Sequence, residues 1–328
     1  MKDTKSILIL GGYGRTGMEI AKLLLRESRH NIVLAGRDLF KASRAAKRLN
    51  CKHSGERVTG VQVNVAFKKQ LTSILEDYDL VIDSIPVTAF GGQIARAALD
   101  VGIDYVDLTT NKEKLLSLNG LDVEIQAEGL TFITNAGIVP GASFLMARYL
   151  FGFFDVLDAV TIGGLPGEET HSYRSVVGLI PTPGNSPFIF GDGSEVKKPI
   201  DSIFRRLRAR WFRRLPRDCD GIPDHRQGLG IKATAKGVMN GREEQLRLTL
   251  EHKDPYRATA IATVPCVLEL LDGSIKKPGV HMMGHVLDPE RYMENLWDMG
   301  MAVSLQGLPD TWHEEYRANE IRLVDQVA

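Results

Sequence analysis

Over the first 140 residues, short apolar runs alternate with longer stretches whose apolar positions recur every three or four places. The runs fall at residues 7–10, 32–35, 61–65, 80–83, 105–108 and 131–134 and read as strands. Between them, residues 18–26, 39–49 and 94–99 carry the helical spacing. Strand alternating with helix predicts a parallel, doubly wound sheet covered by helices.

From Gly141 the pattern changes. DAVTIGGLPG reads as a strand ending in a turn, while IPTPGNSP and IFGDGSEVKKP are punctuated by Pro and Gly, as loops and short strands are. GIKATAKGVMNGREEQLRLTLEH reads as two strands joined at Asn240-Gly241, a favoured hairpin pair. Helical spacing returns at residues 258–271 and 289–299. A first domain over residues 1–140 is thus expected to be followed by a second α/β domain over 141–254 with an antiparallel or mixed sheet.

The first run ends in GGYGRTG. Gly12, Gly14 and Gly17 make G-x-G-x-x-G between a strand and a helix, with Tyr13, Arg15 and Thr16 filling the loop. The first glycine permits the turn, the second lets backbone approach a pyrophosphate, and the third lets helix pack on strand. In this setting the motif predicts a dinucleotide-binding Rossmann domain. A cofactor with a free ribose 2′-hydroxyl usually meets a carboxylate at the end of the second strand. Gly36 stands there, followed by Arg37, whose guanidinium suits a 2′-phosphate that Arg15 could also reach. Asp38 competes, since its carboxylate could turn back to a ribose. NADP(H) is favoured over NAD(H).

Charge and composition narrow the picture further. With 41 basic and 41 acidic residues, no global field argues for nucleic acid. Three scattered cysteines suit a reducing, cytoplasmic setting. MKDTKSILIL does not read as a secretory signal, and ASFLMARYLFGFF is interrupted by Arg148 and too short to span a bilayer.

GGYGRTG, LAGRD, DLVIDSIP, ARAALDVGIDYVDLT and TNAGIVPGAS follow one another in an order that resembles the saccharopine dehydrogenase-like reductases, and IGGLPG, GDGSEVK and LELLDGSIKKPGV are similar to later parts of that family. The resemblance implies a Rossmann domain completed by C-terminal helices, residues 255–328 here, and a domain that binds a small substrate and pairs two subunits as a homodimer. It also implies hydride exchange at a carbon–nitrogen bond, an imine or secondary amine. One segment departs: SYRSVVG carries Arg174 where relatives that take saccharopine-like substrates tend to carry tryptophan. The resemblance therefore reaches the cofactor further than the substrate.

Candidate site residues follow from position. Pro86 lies at the end of the fourth strand, at the carboxyl edge where ligands of such sheets sit. Asn135, Pro140 and Gly141, in the turn out of the sixth strand, are expected to line the nicotinamide end or simply to shape the turn. Tyr105 and Asp107 face one side of the fifth strand; Asp107 could relay a proton, anchor a substrate amine or cap the next helix. Arg174 could clamp a carboxylate or pair with Glu168 or Glu169, with His171 a minor acid–base candidate. His281 and His285 are four apart, but Gly279 and Gly284 speak against a helix there, so no metal site is expected.

IFRRLRARWFRRLPR, residues 203–217, carries seven arginines and no acid. Phe204, Leu207, Trp211 and Leu215 give it an amphipathic pattern that suits a surface helix, a peripheral membrane contact or a lid over an acidic ligand. Besides the oxidoreductase reading, a catalytically silent NADP-binding or membrane-associated scaffold, or a reductase of a bulkier lipid-like substrate, remains open.

Overall fold

The computed structural model describes residues 4–53, 55–86, 88–108, 111–164 and 228–308. Its contacts divide the chain into two units, Met1–Phe144 with Asp254–Asp288, and Leu145–Lys253 with Pro289–Ala328.

The first unit is built on strands β1 (Ser6–Leu10), β2 (Asn31–Gly36), β3 (Val58–Gln62), β4 (Leu80–Asp83), β5 (Asp104–Asp107) and β6 (Thr131–Thr134), with α1 (Arg15–Glu27), α2 (Leu39–Asn50), α3 (Lys68–Leu75), α4 (Gly91–Val101) and α5 (Lys112–Ala127) in the connections. The strands read as solid apolar runs because both sheet faces are covered; Ile7, Leu8 and Ile9 are all fully buried. β1 pairs with β2 on one side and β4 on the other, all parallel. The chain reverses its direction of sheet growth between those two neighbours, which opens a crevice at the carboxyl ends of β1 and β4.

Three elements depart from the sequence expectation. β3 starts three residues before the expected run of 61–65, and Val63 and Val65 lie beyond it, buried under α3. Apolar positions in a tight loop against a helix imitate strand periodicity. The strand lies earlier because Gly60 admits α2, where a Cβ would come within 2.5 Å of Ala42 backbone. α3 buries only Leu71 and Leu75, too short and sparse a stripe to announce a helix. A seventh strand, β10 (Gly279–Met282), pairs with β6 and gives the sheet order β10-β6-β5-β4-β1-β2-β3.

β10 follows α7 (Pro255–Leu271), which Asp254 caps by accepting from the amides of Tyr256 and Arg257. α7 runs along α1, where the Arg257 guanidinium reaches Glu19 at 3.2 Å, and it buries Ile261, Val264 and Val267.

In the second unit, β7 (Val156–Gly164), β8 (Leu229–Met239), β9 (Arg242–His252) and β11 (Ala302–Gln306) form a sheet of order β11-β9-β8-β7, antiparallel at every described pair. The β8–β9 hairpin turns on Asn240 at φ 51° and Gly241 at φ 74°, the left-handed pair this turn needs. Ile231, Ala233, Leu246 and Leu248 bury one face of the sheet. α6 (Ser143–Phe151) leads into this unit, and α8 (Pro289–Asp298) belongs to it, burying Tyr292, Met293 and Leu296. Among the described residues no helix is long and apolar enough to cross a membrane.

Candidate functional site: the carboxyl edge of the first sheet

The glycine turn is closed by backbone hydrogen bonds. The Gly12 amide donates to Ile9 and Ala35, each at 3.1 Å, and Gly14 to Gly11 at 2.8 Å. A Cβ on Gly12 would meet the Ile9 carbonyl and Leu34 Cα at 2.8 Å; one on Gly17 would meet the Gly11 carbonyl at 2.5 Å. These positions admit glycine for the reason the motif suggests: helix and strand approach within backbone contact. Gly14 is the N-cap of α1 without a side-chain cap, and no acid lies in the first turn. The positive end of α1 therefore faces the crevice unneutralised by a side chain, as an anion site requires. Thr16 stands in that first turn, half-buried.

At the end of β2, Gly36 leaves room for the Tyr13 ring, which a Cβ would meet at 2.3 Å. The Asp38 amide donates to the Tyr13 hydroxyl at 3.2 Å, while the Asp38 carboxylate accepts the Lys41 amide at 3.0 Å and caps α2. That hydrogen bond holds the Asp38 carboxyl below its ordinary range. In the structure, then, the Asp38 carboxylate serves the helix. Arg37 remains exposed at the strand tip, its carbonyl accepting from Gln62. Arg15 lies over the Tyr256 ring at 5.0 Å and donates to its hydroxyl at 3.2 Å.

Behind the crevice, β4, β5 and α5 bring together Asp83, Tyr105, Asp107 and Lys114, all buried. The Lys114 ammonium donates to the Asp107 carboxylate. Tyr105 donates to Asp83 at 3.5 Å. Asn111, not Asp107, caps α5, accepting the Lys114 amide at 3.0 Å. Burial, then the charge of Asp107, pushes the Asp83 carboxyl up to about 7, against the Ile85 amide and Lys114. Burial also raises Asp107, opposed chiefly by Lys114, and lifts Tyr105 well above its ordinary range. One ammonium faces two buried carboxyls, and ionising both would leave net charge in a low dielectric.

The turn after β6 hangs on Asp107. Its carbonyl accepts the Ala136 amide at 2.7 Å and its carboxylate the Asn135 amide at 3.4 Å. Asn135 sits at φ 59°, and its carbonyl lies where a Cβ on Gly141 would come within 2.3 Å. Pro140 follows a cis peptide, and Thr263 of α7 donates to the Ala136 carbonyl at 2.6 Å. Pro86 is exposed three residues past β4.

Thus Gly12, Tyr13, Gly14, Gly17, Gly36 and Arg37 gather along β1 and β2, while Tyr105, Asp107, Asn135 and Gly141 form a connected group beyond β4. His171, Arg174 and residues 203–217 lie outside the described residues. His281 is in β10, its ring 3.0 Å from the Lys277 carbonyl, whereas His285 lies in a single helical turn, Met283–Val286, that Gly284 did not prevent, and packs edge-on to Phe144. Sequence reasoning missed Asp83, Lys114 and Thr263. Asp83, the second acid of DLVIDSIP, gave a signal, because it ends a strand at the ligand edge; Lys114 gave none.

Residues 7–133 match the family described as Saccharopine dehydrogenase NADP binding domain. No curated protein matches the sequence. Among solved structures, the chain is similar to an apo, histidine-tagged saccharopine dehydrogenase (L-Glu forming) from Saccharomyces cerevisiae, at 14% identity and TM-score 0.63, over 93% of this chain and 100% of that one. A sorbitol-6-phosphate 2-dehydrogenase from Erwinia amylovora aligns at 13% identity and TM-score 0.33, over 39% of this chain and 69% of that one. The glycine cradle, the arginine at the strand tip and the family match agree on the cofactor: residues 7–133 carry the NADP-binding domain of the saccharopine dehydrogenase family.

Proposed function

We propose that this chain is an NADP(H)-dependent oxidoreductase that exchanges hydride with a carbon bonded to nitrogen in a small amino- or carboxyl-bearing molecule. The observation that carries the reading is the strand tip: Arg37 is exposed there, and the nearest acid, Asp38, is committed to capping α2. A 2′-phosphate would meet a guanidinium and no free carboxylate, the arrangement that favours the phosphorylated cofactor.

In this reading the amides at the start of α1 hold the pyrophosphate, with Gly12, Gly14 and Gly17 keeping side chains out of its way. Arg37 holds the 2′-phosphate, and Arg15 joins it by leaving Tyr256. The cofactor supplies or accepts the hydride. Asn135, Pro140 and Gly141 shape the wall at the nicotinamide end, and Pro86 borders it from β4. Reduction of an imine adds hydride to carbon and a proton to nitrogen, which leaves an amine. Arg174 binds a substrate carboxylate, and the chain works as a homodimer. The likeness to the yeast saccharopine dehydrogenase makes saccharopine one compound to test as substrate.

Calorimetric titration with NADPH and NADH tests the cofactor half. NADPH is expected to bind at least about tenfold more tightly, a preference that Arg37→Ala removes. Equal affinities, or an Arg37→Ala variant unchanged toward NADPH, would refute it. Oxidation of NADPH at 340 nm with amine–aldehyde pairs, and reduction of NADP with saccharopine, test the chemistry.

A further inference from the structure

We infer that Lys114 is a positioning residue: from inside α5 it fixes, through Asp107, the geometry of the 135–141 turn and hence the nicotinamide end of the site. The inference rests on the oxidoreductase reading above.

An ammonium is rarely buried, because removing it from water is unfavourable unless a partner meets it. Here the fold makes special room for one. A Cβ at Gly91, the first residue of α4, would meet Lys114 Cδ at 2.5 Å and Cγ at 2.7 Å, so that position admits the lysine stem only as glycine. The stem ends on Asp107, whose side chain is also fully withdrawn from solvent.

Asp107 then holds two successive amides of the neighbouring segment, Asn135 through its carboxylate and Ala136 through its carbonyl. Asn135 occupies the left-handed region, which asparagine tolerates better than other non-glycine residues, and the hydrogen bonds that its amide and that of Ala136 donate to Asp107 fix it there. Its carbonyl abuts Gly141, so a rotation at Asn135 is passed directly to the far side of the turn. Thr263 pins the same turn from α7. Among the described residues, the charged groups around Asp107 are Lys114 from α5 and Asp83 from β4, with the Tyr105 and Thr134 hydroxyls beside them. Lys114 alone among these ties the end of β5 to the helix that follows it. Losing it frees the carboxylate to rotate toward Tyr105 or to take up a proton, and either change loosens its hold on Asn135.

The test separates the two ends of the cofactor in the full-length protein. Binding of 2′,5′-ADP reports the adenosine end, whereas NADPH affinity and the fluorescence of bound NADPH report the nicotinamide end. Lys114→Met is expected to leave 2′,5′-ADP affinity unchanged, to weaken NADPH at least about tenfold and to abolish its change in fluorescence. The double variant Lys114→Met with Asp107→Asn is expected to remain defective. Recovery of the NADPH signal in that double variant would show that Lys114 merely neutralises a buried acid, and would overturn the inference.

Should Lys114→Met fail to fold, Lys114→Arg decides. It keeps the charge but not the fit beside Gly91, so an unaltered NADPH fluorescence in that variant also overturns the inference. A wild-type protein that binds neither 2′,5′-ADP nor NADPH refutes the oxidoreductase reading itself, whereas normal NADPH behaviour in both Lys114 variants refutes only the role given to this residue.

Discussion

Asp83 shows how one residue carries pH into the fold. Its carboxyl titrates at about 7 in the native state, above its ordinary value of 3.8, first because it is buried and then because Asp107 is near. A raised native pKa means that between about pH 4 and pH 7 the folded protein binds the proton more strongly than the unfolded chain does. The associated stability is fully present below about pH 4 and is lost as pH rises through about 7. Asp83→Asn can still accept the Ile85 amide yet does not ionise. Relative to wild type, it is expected to gain on the order of 2 kcal/mol between pH 5 and pH 8 in urea unfolding. A difference that stays flat over that range would show that Asp83 does not hold the proton. Legibility at this scale follows the same physics. Tyr105 and Asp107 could be read from their alternation on a strand, because strand geometry fixes which side they face. Lys114 could not, since NKEKLL looks like any solvated first turn, and Lys112 and Glu113 beside it are indeed exposed. Only the packing of Gly91 against its stem distinguishes it.

Elements were legible where a single rule governs them. The Asn240-Gly241 hairpin and the glycine turn both follow from backbone conformations that few residues adopt. β3 was displaced in the sequence reading because Val61, Val63 and Val65 alternate as a strand does, while the actual strand contains Thr59 and Gly60. Its position is set instead by long-range contacts, among them Arg57, just ahead of it. The Arg57 guanidinium donates to the carbonyls of Leu25 at 2.7 Å, Ser28 at 2.8 Å and His30 at 3.2 Å, at and beyond the C-terminal end of α1. It satisfies carbonyls that a helix end leaves without partners and places positive charge where the helix dipole is negative. Arg57→Ala is expected to cost about 1–3 kcal/mol, because charged hydrogen bonds to partly buried carbonyls are lost. The denaturant midpoint should fall with the slope unchanged; Arg57→Lys should recover only part, since one ammonium cannot span three carbonyls.

At the scale of the whole molecule, the chain enters the first unit twice, a return that the alternation of strands and helices does not convey and that only the family resemblance implied. The first 140 residues carry a full alternation of strands and helices and look self-sufficient. Yet the described contacts assign Asp254–Asp288 to the same unit, with α7 against α1, Thr263 on the turn after β6, and β10 pairing along β6. Without that returning segment, β6 becomes an open edge and the face of α1 that meets α7 is laid bare, an apolar surface that promotes association. A fragment of residues 1–144 is therefore expected to aggregate or to melt without a cooperative transition. Joining residues 1–144 to 254–288 through a flexible Gly/Ser linker restores the strand and the helix together. That fragment is expected to unfold cooperatively by circular dichroism and to bind 2′,5′-ADP with the affinity of the full chain, because every residue proposed to hold the adenosine end lies within it. A fragment of 1–144 that folds and binds equally well would show that the returning segment is dispensable to the cofactor site, and that Thr263 and β10 follow the turn after β6 rather than hold it.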